Sequence, residues 1–126
     1  MTKTPWISFS WNEGRVWDHW MYVHFLSGTI IACCVTLLSM QTLHAYLVGL
    51  GLLVAWEVGE KIGRVKEHAE NLALDVVVGM IGFFLFQTCI LPELDRSEVW
   101  WALLILSLLC LIGGLLGWMA FRKRGA

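Results

Sequence analysis

The sequence predicts an all-α integral membrane protein, an antiparallel bundle of four transmembrane helices in a single domain. Hydrophobic residues make up 58% of the 126 residues and charged residues 15%, whereas about a quarter of the residues of a soluble domain are charged. The apolar residues form four long runs, at residues 16–40, 43–62, 71–91 and 99–121. Each run is close to the roughly 20 residues that a helix needs to cross a bilayer. Helices are expected because backbone groups inside lipid must hydrogen-bond within their own segment.

The segments between the runs are short and polar. An N-terminal arm, residues 1–15, contains two tryptophans and lacks the basic start and apolar stretch of a cleavable signal peptide, so we expect it to lie along the membrane surface or on the bundle. We expect Gln41 and Thr42 to form a short turn between the first two runs. The charged loop at residues 63–70 joins the second run to the third. Pro92 ends the third run because proline cannot continue a helix, and a polar loop leads to the fourth and most apolar run.

The basic residues predict the orientation of the bundle. With four crossings, the N-terminus, the loop at residues 63–70 and the C-terminus share one side. That side carries eight basic residues and the other side carries only Arg96; the eight are Lys3, Arg15, Lys61, Arg64, Lys66, Arg122, Lys123 and Arg124. The positive-inside rule therefore places both termini in the cytoplasm, and we expect a multi-pass protein of the inner (cytoplasmic) membrane.

Polar residues on three of the helices converge near the cytoplasmic surface in this topology. The first helix contributes a histidine near its start, the second ends in two glutamates and an arginine at one-face spacing, and the third begins with an asparagine and an aspartate four residues apart. These candidate ligand-binding residues are His24, Glu57, Glu60, Arg64, Asn71 and Asp75. Ionisable groups inside a membrane are costly, which makes each of them a candidate for function.

The chemistry of this set suits either a lipid head group or a metal ion. Arg64 and its basic neighbours would attract a phosphate. An imidazole beside carboxylates suits a divalent metal, which is the candidate cofactor, with His24, Glu57, Glu60 and Asp75 as its candidate ligands. No nucleotide-binding, zinc-protease or serine-hydrolase motif occurs in the sequence, so it leaves open whether the protein is an enzyme.

The pattern of polar residues and glycines resembles the VanZ-like small membrane proteins. It consists of Asp18-His19, His24-Phe25 and Gly28, then Trp56-Glu57 and Glu60, then Asn71, Asp75, Gly79 and Gly82, and it covers about residues 16–86. Members of that group are associated with glycopeptide resistance and cell-envelope lipids. The resemblance therefore implies a role at the membrane with lipids as partners, without implying a particular reaction.

A second hypothesis is a non-catalytic accessory subunit of a larger membrane complex. The fourth run carries no charge between Val99 and Phe121, and Gly113 and Gly117 offer a small-residue face for another helix. The polar residues would then hold the first three helices together. A third hypothesis is a transporter or proton relay, which would require a homo-oligomer because four helices leave little room for a pore. The net charge of −1 argues against a nucleic-acid partner, which would require a basic face. The cysteines lie in apolar runs without paired spacing, which predicts packing roles.

Overall fold

The computed structural model describes residues 5–11, 14, 16–62 and 69–125, and these confirm an all-helical fold. Four α-helices follow one another, α1 at Trp20–Leu37, α2 at Thr42–Ile62, α3 at Ala69–Leu85 and α4 at Arg96–Gly125. Beyond α3 the chain continues as a π-helix, Phe86–Ile90, and a 3-10 turn, Leu91–Glu93. All four helical segments are long and apolar enough to cross a membrane, with mean hydropathies between 1.4 and 2.5. The protein is therefore a multi-pass, four-helix membrane protein.

The helix ends differ from the expected bounds for local reasons. α1 begins at Trp20 rather than at residue 16, because the carboxylate of Asp18 accepts a hydrogen bond from the Trp20 amide at 2.9 Å at the start of the helix. α4 begins at Arg96 rather than at residue 99, because Asp95 and Glu98 form a capping box. Each of these two side chains accepts the other residue's backbone amide at 2.8 Å.

α1 is the central helix of the bundle and packs most extensively against α3. Glycines make this contact close. A Cβ atom on Gly28 would lie 1.8 Å from the backbone oxygen of Gly79, and one on Gly82 would lie 2.4 Å from that of Phe25. The backbones of α1 and α3 thus touch where no side chain intervenes, as membrane helices with small residues at their interface do. This contact sets the distance between the polar residues one turn away on each helix.

α4 packs against the other side of α1. Gly113 faces Tyr22 and Gly117 faces Trp20, so the small-residue face noted in the sequence is occupied within the chain. A Cβ atom on Gly114, the next residue of α4, would have no neighbouring atom of the described residues within 4 Å. Only 11% of the α4 span is buried, so most of its apolar surface faces outward.

The described part of the N-terminal arm folds back on the start of α1. Backbone hydrogen bonds join Ser8 to Trp17 and Trp17 to Trp6. The ring of Trp11 packs edge-on against Trp20, and it also approaches Gly117 of α4. Of the two expected placements, the arm thus packs on the bundle.

Candidate functional site

Three helices bring a histidine and two carboxylates together inside the bundle. His24 lies about one turn after the start of α1, Glu57 about one turn before the end of α2, and Asp75 less than two turns after the start of α3. Because α2 runs antiparallel to the other two, the three positions share one level, beneath the end of the bundle where α1 and α3 begin. We call His24, Glu57 and Asp75 the HED cluster.

The ligand atoms of the HED cluster are close together and shielded from the surroundings. His24 Nδ1 lies 3.2 Å from Glu57 Oε1, and His24 Nε2 lies 3.5 Å from Asp75 Oδ2. One ligand atom from each residue falls within 4.8 Å of the other two. The residues are 5%, 2% and 0% exposed. Glu57 and His24 thus form a close buried pair between α2 and α1.

Asn71 adjoins the cluster from the first turn of α3. Its amide Nδ2 donates to Asp75 Oδ2 at 3.4 Å, and its side chain also hydrogen-bonds the carboxylate of Asp18. The asparagine is 1% exposed. Its Oδ1 atom has no hydrogen-bond partner in the described part of the chain. Asn71 therefore does more than cap a helix: it links Asp75 to an acid on another segment.

Asp18 is a buried acid that the site prediction from sequence did not include. It is 1% exposed, and its carboxylate accepts the backbone amides of Gly14 and Trp20. Burial raises the pKa of Asp18, while the hydrogen bonds from these backbone amides and from Asn71 lower it. In the sequence Asp18 lies at the start of the first predicted run, where an interfacial position is the usual one. The N-terminal arm folds back and buries Asp18. The sequence feature that could have identified this residue is its position in the pattern that resembles the VanZ-like proteins.

Two other predicted site residues, Glu60 and Arg64, are not part of the HED cluster as the structure describes it. The Glu60 carboxylate accepts a hydrogen bond from Trp56 Nε1 at 2.9 Å. It borders an open groove on α2 with Ala55 and Gly59 and is not part of the HED cluster. Three residues advance a helix by less than a full turn, so Glu57 faces inward while Glu60 is displaced to the side. Arg64 lies outside the described residues.

The buried polar residues carry an excess of negative charge. In the described ranges they comprise three carboxylates and one imidazole, with neither lysine nor arginine; the full set is Ser8, Asp18, His24, Thr29, Glu57, Asn71 and Asp75. Even a fully protonated imidazole balances one carboxylate. Unbalanced charge is expensive in a medium of low dielectric constant. The site therefore favours protons or a bound cation.

Comparisons of the chain with protein-family models, with curated proteins and with solved structures find no match. The chemical interpretation of the site therefore comes from its own geometry. Three inward-facing ligand atoms of mixed nitrogen and oxygen type can coordinate one ion. The residues that could hold a metal are thus His24, Glu57 and Asp75, a smaller set than the four residues expected from the sequence.

Proposed function

We propose that the protein binds a divalent metal ion within the inner membrane, between α1, α2 and α3, through His24, Glu57 and Asp75. The observation that carries the proposal is the HED cluster itself, in which three ligand atoms from three helices lie within 4.8 Å of one another in a buried position. A metal ion would balance the two carboxylates and so remove the main electrostatic cost of burying them.

The ligand types favour a transition metal over magnesium or calcium. Mg²⁺ and Ca²⁺ prefer all-oxygen surroundings, whereas an imidazole nitrogen suits zinc or iron, and the carboxylates also suit manganese. Three protein ligands with one position left for water are typical of zinc sites that do chemistry. The cluster offers that ligand number.

The burial of the cluster argues against a lipid head group in the same place. The three side chains are at most 6% exposed, so a phosphate could reach them only if the helices separated. A bare ion needs far less room. We therefore assign the cluster to the ion and expect lipids to contact the outer, apolar surfaces of the helices.

Membership of the VanZ-like group and the cytoplasmic position of both termini belong to this proposal. The spacing of the polar residues and glycines supports the first, and the excess of basic residues on one side supports the second. Reporter fusions test the orientation: a reporter active in the cytoplasm should function at the C-terminus, and one active outside should function when inserted before Asp95.

Metal binding is tested on the full-length protein, purified in mild detergent and stripped with a chelator. Equilibrium dialysis against Zn²⁺, Mn²⁺ and anaerobic Fe²⁺, with Mg²⁺ for comparison, should give one ion per chain. Glu57→Gln and Asp75→Asn should abolish binding because each removes an anionic ligand without changing the side-chain size.

Glu60→Gln is the matched control for this experiment. It makes the same chemical change three residues along α2, on a carboxylate that lies outside the cluster. Binding that is lost in Glu60→Gln, or retained in Glu57→Gln, would contradict the assignment.

An accessory subunit is the second candidate, and the exposed surface of α4 favours it. Its span is the least buried of the four, so it can contact either lipid or another protein. Because Gly113 and Gly117 face α1, the outer face is tested at Gly114. Extraction in gentle detergent should recover fixed partner subunits from wild type and lose them in Gly114→Leu, while the ion-binding variants keep them. Recovery of the protein without partners would exclude this function.

A further inference from the structure

Asn71 presents a buried polar atom that has no partner among the described residues. Its Oδ1 has no hydrogen-bond partner in the described part of the chain, although the residue is 1% exposed. Native proteins satisfy nearly all such atoms, and an exception calls for an explanation such as a bound water or ion. The atom belongs to the same amide group that bonds Asp75, so the missing partner is adjacent to a proposed metal ligand.

Two carboxylates fix the orientation of this amide. The Nδ2 group donates to Asp75 Oδ2, and the Asn71 side chain also hydrogen-bonds Asp18. An ionised carboxylate only accepts hydrogen bonds, so the amide nitrogen must face these acids. Rotating the amide would bring its oxygen against negative charge. The oxygen is therefore held in place as an acceptor, and it requires a donor.

We propose that Asn71 Oδ1 accepts a hydrogen bond from a water molecule bound to the metal ion of the HED cluster, and that Asp18 positions Asn71 for this role. The inference rests on the proposed function. Three protein ligands leave a coordination position that water fills in open sites. A water molecule on a divalent cation donates its hydrogens strongly, and an amide oxygen is an uncharged acceptor suited to it.

Asp18 acts through Asn71 and is a positioning residue. It sits at the junction of the arm and α1, where the Gly14 and Trp20 amides hold its carboxylate. Outer groups of this kind orient the ligands of metal sites and set the affinity for the ion. The N-terminal arm thus contributes to a site built on the first three helices.

The test uses Mn²⁺ as a paramagnetic probe in the full-length protein. Electron spin echo modulation in D₂O buffer detects exchangeable hydrogens on water bound to the ion. Wild type should show deuterium modulation from bound water. Asn71→Leu, which has no acceptor, should bind Mn²⁺ roughly ten- to a hundredfold more weakly and show shallower modulation. Asn71→Gln keeps both the donor and the acceptor of the amide and should retain the modulation.

Thr29→Val is the matched control for loss of a buried polar group. The Thr29 hydroxyl donates to the backbone oxygen of Leu26 and takes no part in the cluster. This variant should keep wild-type affinity and modulation, which separates a general effect of altered packing from the specific one.

The outcomes distinguish this inference from the proposed function. If wild type binds no Mn²⁺, or binds it equally well after Glu57→Gln, the metal site itself is refuted and this inference falls with it. If binding depends on Glu57 but Asn71→Leu has wild-type affinity and modulation, the inference alone is overturned. If Asn71→Leu does not fold, Asp18→Ala decides, because it removes one of the two acceptors that hold the amide. Shallower modulation supports the inference, and unchanged modulation overturns it.

Discussion

Replacing Gly28 with alanine should both destabilise the bundle and open the metal site. The added Cβ would lie 1.8 Å from the backbone oxygen of Gly79, whereas ordinary contact begins at 3.4 Å. The obstacle is backbone, which cannot rotate away as a side chain can. α1 and α3 must therefore separate locally by about 1.6 Å, and forcing extra atoms into a packed interface costs about 1–3 kcal/mol.

The same separation acts on the HED cluster. His24 precedes Gly28 by four residues and Asp75 precedes Gly79 by four, so each ligand lies one turn from the collision. The 3.5 Å contact between His24 and Asp75 should lengthen to about 5 Å. Bringing both groups to the usual bond length of about 2 Å from one ion then requires a larger movement of the two side chains than in wild type. We expect metal affinity to fall by about a hundredfold or more.

Gly51→Ala is the control for this experiment. It makes the same substitution in α2 at a position with nothing within 4 Å of the added carbon. Its stability should be unchanged or slightly higher, because alanine favours the helix by about 1 kcal/mol over glycine. Thermal unfolding in detergent measures the stability of each variant, and equilibrium dialysis measures its metal affinity. Equal behaviour of Gly28→Ala and Gly51→Ala, or wild-type affinity in Gly28→Ala, would refute the close contact of α1 and α3.

Three further predictions concern charge and helix ends. In the metal-free protein, Glu57→Gln should unfold at the same or a higher temperature than wild type because it removes a buried negative charge. A metal ion at a hundred times its Kd should stabilise wild type by about 2.7 kcal/mol and leave the variant unchanged. If Glu57→Gln clearly destabilises the metal-free protein, the cluster is purely structural. Burial raises the pKa of Asp18 in the folded state, so Asp18 should stabilise the fold most at low pH. This stabilisation should be lost as the pH rises from the ordinary aspartate pKa through the raised pKa. The free energy of unfolding of Asp18→Asn should lack this pH dependence, and identical pH profiles of variant and wild type would contradict the prediction. Asp95→Ala should lower the free energy of unfolding by about 1 kcal/mol through loss of the cap on α4. The double variant with Glu98→Ala should lose less stability than the sum of the two single losses, because the two side chains form one capping box.

The location of the site could be predicted in part from the sequence. The antiparallel order of the helices brings the ends that carry His24, Glu57 and Asp75 to one level. Helical spacing did not separate Glu57 from Glu60, because three residues along a helix are nearly on one face. Their different surroundings depend on how α2 is rotated about its axis, and packing against α1 and α3 decides that rotation.

The burial of Asp18 could not be predicted from the sequence, for a different reason. Its burial depends on the N-terminal arm folding back over the start of α1, a contact between segments whose local sequence does not specify it. The contact of Asn71 with Asp18 could not be predicted either, because an asparagine at the start of a helix is adequately explained as a cap.

The sequence by itself determined that this is a four-helix membrane protein, because the length and apolarity of the runs depend only on the thickness and chemistry of the bilayer. The tertiary structure decided which polar residues meet. Gly28 and Gly79 allow α1 and α3 to touch along their backbones, and that contact places His24 within 3.5 Å of Asp75. A composition can require that intramembrane charges be satisfied, but only the packing of helices selects the groups that satisfy them.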